Sequence, residues 1–206
     1  MRIDLIRVSK SYGSRQVLAG IDASLVGPGF IAVRGPSGAG KTTLLSILAG
    51  QIEPTDGSFA MSGFSDRMSV DWIVQSAPIL AHRTVSANIM LGPLSKGLDA
   101  TSSMRVSLGA AHSLGIGHLM RKRGFSLSGG ERQRVAVARS IACAGELVLA
   151  DEPTAALDAH ARGAVCDGLR AAVSSGSLVV VATHDEYVSA RADLVITLQP
   201  AVHDVN

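Results

Sequence analysis

Cysteine is scarce in this chain of 206 residues, with Cys143 and Cys166 the two present. They form neither a C-x-x-C pair nor a disulfide framework, and both stand in alanine-rich, helix-like surroundings, which reads as buried small apolar side chains. Long apolar runs are missing as well. Stretches such as Leu147–Ala150 and Leu178–Ala182 are strand-length, whereas a membrane-spanning helix needs about 20 apolar residues. Aromatic residues make up 3% and the formal net charge is +2, leaving few rings for base stacking and no strong field. A nucleic-acid partner is therefore not expected. Behind Met1-Arg2-Ile3-Asp4 there is no apolar segment of the kind a secretory signal carries, which predicts a cytoplasmic protein. His82, His112, His118, His160 and His203 lack metal-ligand spacing and read as surface or structural.

What is present is a foldable composition, 47% hydrophobic and 17% charged. That is too apolar for disorder, and the length suits about one domain. Ile3–Val8, Ala19–Val26 and Phe30–Val33 are short apolar or alternating runs separated by turns at Tyr12-Gly13-Ser14 and Gly27-Pro28-Gly29. Leu44, Leu45, Ile47 and Leu48 then fall at helix spacing, and Gly50 supplies a stop. From about Ser76 to Arg123 the pattern is mostly helical but broken by Pro78 and Pro93, as in a small insertion. Afterwards helix and strand alternate: Gly130–Ala144, Leu147–Ala150, Ala159–Val173, Leu178–Ala182, Glu186–Ala190 and Leu194–Leu198. Nearly unbroken apolar strands alternating with helices predict an α/β fold with a parallel sheet covered on both faces. Its chemistry belongs at the carboxyl ends of the strands.

Directly after the strand Phe30–Val33 stands Gly35-Pro36-Ser37-Gly38-Ala39-Gly40-Lys41-Thr42, followed by Thr43 and the helix. This is the phosphate loop G-x-x-x-x-G-K-[ST] in the strand–loop–helix setting it requires. Glycines let backbone N–H groups reach phosphate oxygens without Cβ atoms in the way, and the helix start aims its positive end at them. Lys41 adds a point charge, and the Thr42 hydroxyl suits Mg²⁺, a cation that prefers oxygen. The strand Leu147–Ala150 ends in Asp151-Glu152. Alternation sends those side chains in different directions, Asp151 toward a magnesium shell and Glu152 toward a water attacking the γ-phosphate. A second helix start, Leu127-Ser128-Gly129-Gly130-Glu131, fits a capping box, yet two consecutive glycines weaken a helix start unless something approaches its backbone.

Taken in order, these motifs resemble the ATP-binding cassette family, specifically the ATPase subunit of membrane transporters, and the resemblance covers nearly the whole chain. It implies a single P-loop NTPase domain over residues 1–206 with a RecA-like core. Residues 1–75 would form the antiparallel β subdomain plus phosphate-loop core, 76–127 the inserted helical subdomain, and 128–206 the signature helix and remaining core. It assigns Tyr12 to stacking on adenine, Gln75 to Mg²⁺ and the attacking water, and His184 to the γ-phosphate. Ala156-Leu157-Asp158 matches the family's D-loop. Ser128, Gly129 and Gly130 of one chain would close over ATP held by a second, head-to-tail copy, and the cycle would move a separate polytopic permease. The segment after Gln75 is where the family receives that partner. The Thr42–Leu45 helix start and Glu53–Gly57 turn look similar to exporters of the lipoprotein and macrolide type. A soluble cassette ATPase of DNA repair or translation, and a nucleotide clamp without turnover, are the competing readings. Phe125-Ser126 stands where the family often has proline, and the stretch from Lys41 to Gln75 is short for the family.

Overall fold

The computed structural model describes residues 1–155 and 157–199. Ala156 of the expected D-loop and His203 thus lie outside the described residues. Strands β1 (Arg2–Tyr12) and β2 (Arg15–Val26) form a hairpin, and β4 (Asp56–Ser62) pairs with the other edge of β1, giving an antiparallel sheet ordered β2-β1-β4. β4 escaped the sequence reading because its residues, Asp56-Gly-Ser-Phe-Ala-Met-Ser62, are mostly small and polar. Its apolar pair, Phe59 and Met61, packs against the core at alternate positions.

The second sheet is parallel. It runs β5 (Val70–Ile73), β6 (Leu147–Asp151), β7 (Leu178–Thr183), β3 (Gly29–Arg34) and β8 (Leu194–Thr197) in spatial order. β6 and β7 are buried from end to end and β3 in all but its last residue, Arg34, as their apolar runs predicted. Alternation divides them between two apolar clusters. Val148, Ala150, Val179 and Val181 face one, while Leu147, Leu149, Leu178 and Val180 face the other. The second face is covered by helix α1 (Lys41–Leu48) and the antiparallel sheet. The first is covered by α4 (Gly129–Cys143), α5 (Ala159–Ser174) and the insertion. Burying both faces is what removes the polar alternation that a half-exposed sheet would show.

The insertion comprises α2 (Val85–Ser95) and α3 (Ala100–Ser113), each started by a side-chain cap, Thr84 and Asp99 respectively. The helical pattern read from Ser76 begins nine residues late: between Gln75 and Thr84 the chain is irregular, turned by Ala77 at φ 44 and Pro78. α2 and α4 touch at Gly92, where an added Cβ would lie 2.7 Å from Cys143 Cβ and 3.1 Å from the Arg139 carbonyl. The two helices therefore move as one packed unit. A four-residue α6 (Glu186–Ser189) precedes β8.

Both cysteines are buried and unpaired. Burial pushes the Cys143 thiol up to about 12 and the Cys166 thiol up to about 11. A raised thiol stays protonated and poorly nucleophilic through the neutral range. Iodoacetamide at pH 8 should leave both unmodified in the native protein and alkylate both in urea. Rapid labelling of the native protein would contradict this packing.

Candidate nucleotide site

The phosphate loop leaves the carboxyl end of β3 and enters α1 through Gly38 and Gly40, at φ 80 and 88. The two glycines serve different needs. A Cβ on Gly38 would meet nothing within 4 Å, so that position needs only the left-handed backbone. On Gly40 it would lie 2.6 Å from Leu18 Cδ2 and 2.8 Å from the Val17 carbonyl, so space is closed as well. No side chain caps α1, which leaves its first N–H groups facing the loop. Gly35 is a packing glycine, its Cβ position 2.8 Å from the Leu198 carbonyl, and Ala39 is fully buried in the second cluster. Those two shape the loop without lining its cavity.

Lys41 is buried, its Nζ donating to the carbonyls of Gly35 at 2.8 Å and Pro36 at 3.2 Å. The same ammonium lies 3.5 Å from Glu152 Oε1. Thr42 Oγ1 donates to Asp151 Oδ2 at 2.6 Å. Strand β7 stands between β3 and β6, yet the acids reach the loop because α1 packs across both β6 and β7. The acids diverge as expected, but for a different reason than strand alternation, since β6 ends at Asp151 and Glu152 lies in the turn beyond it. Asp151, at the end of β6, turns to Thr42, while Glu152 turns to Lys41 and to His184, whose Nδ1 is 2.9 Å from Oε1. Glu152 holds φ 48, a left-handed backbone that costs a residue with a Cβ about 1–2 kcal/mol. Its amide donates to Ala182 and its carbonyl accepts from Ala155, which fix that turn. A carboxylate at Nδ1 selects the tautomer with hydrogen there and leaves the other ring nitrogen free.

These groups converge on a cavity of about 640 Å³ lined by Val17, Pro36, Ser37, Gly38, Gly40, Lys41, Thr42, Thr43, Gln75, Asp151, Glu152 and His184. Val17, at the hairpin's return strand, is an apolar wall that the sequence did not single out. Tyr12 does not line the cavity; it is 53% exposed at the end of β1, with Lys10 Nζ 5.4 Å from its ring centre. Ser128, Gly129 and Gly130 do not line it either. Ser128 caps α4 in the expected capping box, its Oγ accepting from Glu131 N at 3.2 Å while its own N–H donates to Glu131 Oε2 at 2.7 Å. That N–H holds the Glu131 carboxyl below its ordinary value. Of the D-loop match, Asp158 caps α5 and Leu157 packs beside Gly130.

A hard oxygen pair, Thr42 and Asp151, set 2.6 Å apart beside a phosphate loop, is a donor set that fits Mg²⁺ completed by phosphate oxygens and water. The family described as ABC transporter matches residues 18–155. The chain belongs to the ABC transporter family. Among its relatives is the pyoverdine export ATP-binding/permease protein PvdT of Pseudomonas savastanoi pv. phaseolicola, 33% identical across 95% of this cassette and 32% of that protein. The macrolide export ATP-binding/permease protein MacB of Hyphomonas neptunium is 32% identical across 96% of the cassette and 33% of that protein. The cassette thus spans about a third of the length of these relatives, whose names join ATP-binding and permease functions in one protein, an arrangement the sequence reading did not anticipate. A dimeric structure of MJ0796, a bacterial ABC transporter cassette, superposes with TM-score 0.84 at 27% identity, covering 96% of this chain and 94% of that one. MJ0796 bound to ADP and Pi, a dimeric post-hydrolysis state, superposes with TM-score 0.83 at 25% identity, covering 97% of each chain. This chain has the fold of an ABC transporter cassette.

The loop geometry predicts graded effects. Gly38→Ala should cost about 1–2 kcal/mol in urea unfolding, the backbone penalty alone. Gly40→Ala should cost more, because Leu18 and the Val17 carbonyl must also move, and it should abolish nucleotide binding. Equal effects at the two positions would contradict the distinction.

Proposed function

We propose that this cassette binds ATP with Mg²⁺ in the cavity above α1 and hydrolyses it between two copies packed head to tail, driving a polytopic permease at the cytoplasmic face of a membrane. Lys41 and the glycine-flanked N–H groups bind the phosphates, and Thr42, Asp151 and Gln75 would hold the metal. Magnesium would neutralise charge on the phosphate oxygens. Glu152 orients and deprotonates the attacking water, and His184, held by Glu152, bonds the γ-phosphate. Tyr12, exposed on the same hairpin as Val17, stacks on adenine.

Gly129 carries the argument for a second copy. It stands in the first turn of α4, its φ is not left-handed, and an added Cβ would meet nothing within 4 Å. Among the described residues neither backbone conformation nor packing asks for glycine there, and glycine costs a helix about 1 kcal/mol relative to alanine. A requirement for bare backbone therefore comes from outside the chain, which the phosphate of a facing copy's nucleotide supplies.

The permease surface lies beside the segment after Gln75. Leu80 is 48% exposed and Phe125 60%, with Ile79 packed against Gly124 beneath them. Backbone bonds tie this segment to residues 122–125, through Gly124 N to the Arg83 carbonyl and Phe125 N to the Ala81 carbonyl. Exposed Arg83, Arg121, Lys122 and Arg123 flank it and form a basic rim around the apolar patch. Among the described residues no helix is long and apolar enough to cross a membrane. The relatives are exporters by name, which favours transport over DNA repair or translation. The contacts of buried Glu152 with Lys41 and with His184 favour turnover over a passive clamp.

Glu152→Gln should lower steady ATP turnover by at least about a hundredfold, in the range general base catalysis contributes. Ser128→Arg should abolish turnover while leaving ADP affinity of the isolated chain within about twofold. Loss of ADP binding in Ser128→Arg would place the signature at the chain's own nucleotide and contradict the two-copy site.

A further inference from the structure

Between β5, α2 and α4 lies a cleft of about 440 Å³, lined by Asp71 and Trp72 on one side and by Leu91, Arg139, Ser140 and Cys143 on the other. Arg139 lies between two and three turns along α4 from the signature glycines. Its guanidinium is half-buried, and its NH2 donates to the Pro78 carbonyl at 3.1 Å. Pro78 is three residues beyond Gln75, and the intervening Ala77 holds a left-handed backbone, φ 44, closed by a bond from its amide to the Val74 carbonyl. A side chain of the signature helix thus reaches directly into the turn that presents Gln75 to the nucleotide cavity.

The far half of the same segment is tied to the same helical unit. Asn88, fully buried on α2, accepts from Leu80 N at 2.6 Å and donates to the carbonyls of Leu80 at 3.1 Å and Thr84 at 2.9 Å. Since α2 and α4 interlock at Gly92, Asn88 and Arg139 belong to one body, and the segment from Pro78 to Thr84 rides on it. Gln75 is left on the short free stretch between that body and the end of β5. Asp71, on β5, faces Arg139 across the cleft and favours its charge, opposing the burial that draws the guanidinium below its ordinary value.

We propose that Arg139 is a positioning residue for ATP hydrolysis: by holding the Pro78 carbonyl it sets where Gln75 stands relative to the signature helix, so that Gln75 reaches its working position only when α4 does. This rests on the role given to Gln75 above. The bond is charge-assisted, and no other side chain donates to the Pro78 carbonyl among the described residues. Arg139 does not line the nucleotide cavity, and its effect on rate passes through Gln75.

The test is a double-mutant cycle on the full chain at saturating MgATP. Arg139→Ala should lower kcat about tenfold, and leave the fluorescence-measured ADP affinity within about twofold. Gln75→Ala should lower kcat further, and adding Arg139→Ala to it should change kcat by no more than about twofold. A side chain that merely stabilised the fold would lower kcat by the same factor in both backgrounds, or weaken ADP binding equally, and either result overturns the proposal. Should Arg139→Ala not yield soluble protein, Arg139→Lys, which keeps the charge and a donor, runs through the same cycle and is judged by the same coupling. Gln75→Ala at the wild-type rate would remove Gln75 from its role and the proposal with it; a slow Gln75→Ala with independent Arg139 effects would remove the proposal alone.

Discussion

Charge balance in the cavity above α1 governs the rest of the structure. Lys41, Asp151 and Glu152 are all buried there, at 8%, 6% and 8% exposure, one positive group against two negative. A triphosphate entering such a place meets too little formal positive charge from side chains. On the proposed reading the deficit would be met by the N–H groups at the start of α1, by a divalent cation beside Thr42 and Asp151, and by the helix start of a second copy. Each main feature of the fold follows from that need. The parallel sheet gathers the strand ends, and α1 crosses β7 to bring Thr42 within 2.6 Å of Asp151.

Glu152 illustrates how the site trades one cost against another. Its left-handed backbone and its burial are both unfavourable for a carboxylate-bearing residue. Contact with the Lys41 ammonium at 3.5 Å and with the His184 ring at 2.9 Å offsets them. That arrangement brings the Lys41 ammonium and the His184 ring to one oxygen, Glu152 Oε1. His184 itself has a largely exposed side chain, 72%, so it faces whatever covers the site.

Much of this was legible in the sequence, and the reasons differ by residue. The strands Leu147–Asp151 and Leu178–Thr183 announce themselves because burial on both faces leaves no polar alternation. The divergence of Asp151 and Glu152 was expected from strand pleating, but β6 ends at Asp151 and the left-handed backbone of Glu152 is what turns its side chain away. The phosphate loop is legible because the φ of Gly38 and the closed space at Gly40 leave few residue types possible. β4 was not legible, since pairing to β1 rather than its own small side chains holds it in place. Nor was the irregular stretch from Gln75 to Thr84, where long-range bonds from Asn88, Arg139 and the 122–125 backbone replace local helical ones. Val17 and Arg139 carry no local signal at all; they matter through neighbours far away in sequence. Tyr12, Gln75 and His184 were singled out only through resemblance to the family, and of these the structure brings Gln75 and His184 into the cavity.

The central claim is that one nucleotide is held between two copies, each supplying a helix start to the same phosphates. Sedimentation velocity of the Glu152→Gln protein, with and without saturating MgATP, tests it most directly. A shift from about the mass of one chain to twice that mass, reversed by Ser128→Arg in the same background, is the predicted result. A Glu152→Gln protein that stays at the mass of one chain with its nucleotide site demonstrably filled would contradict the account.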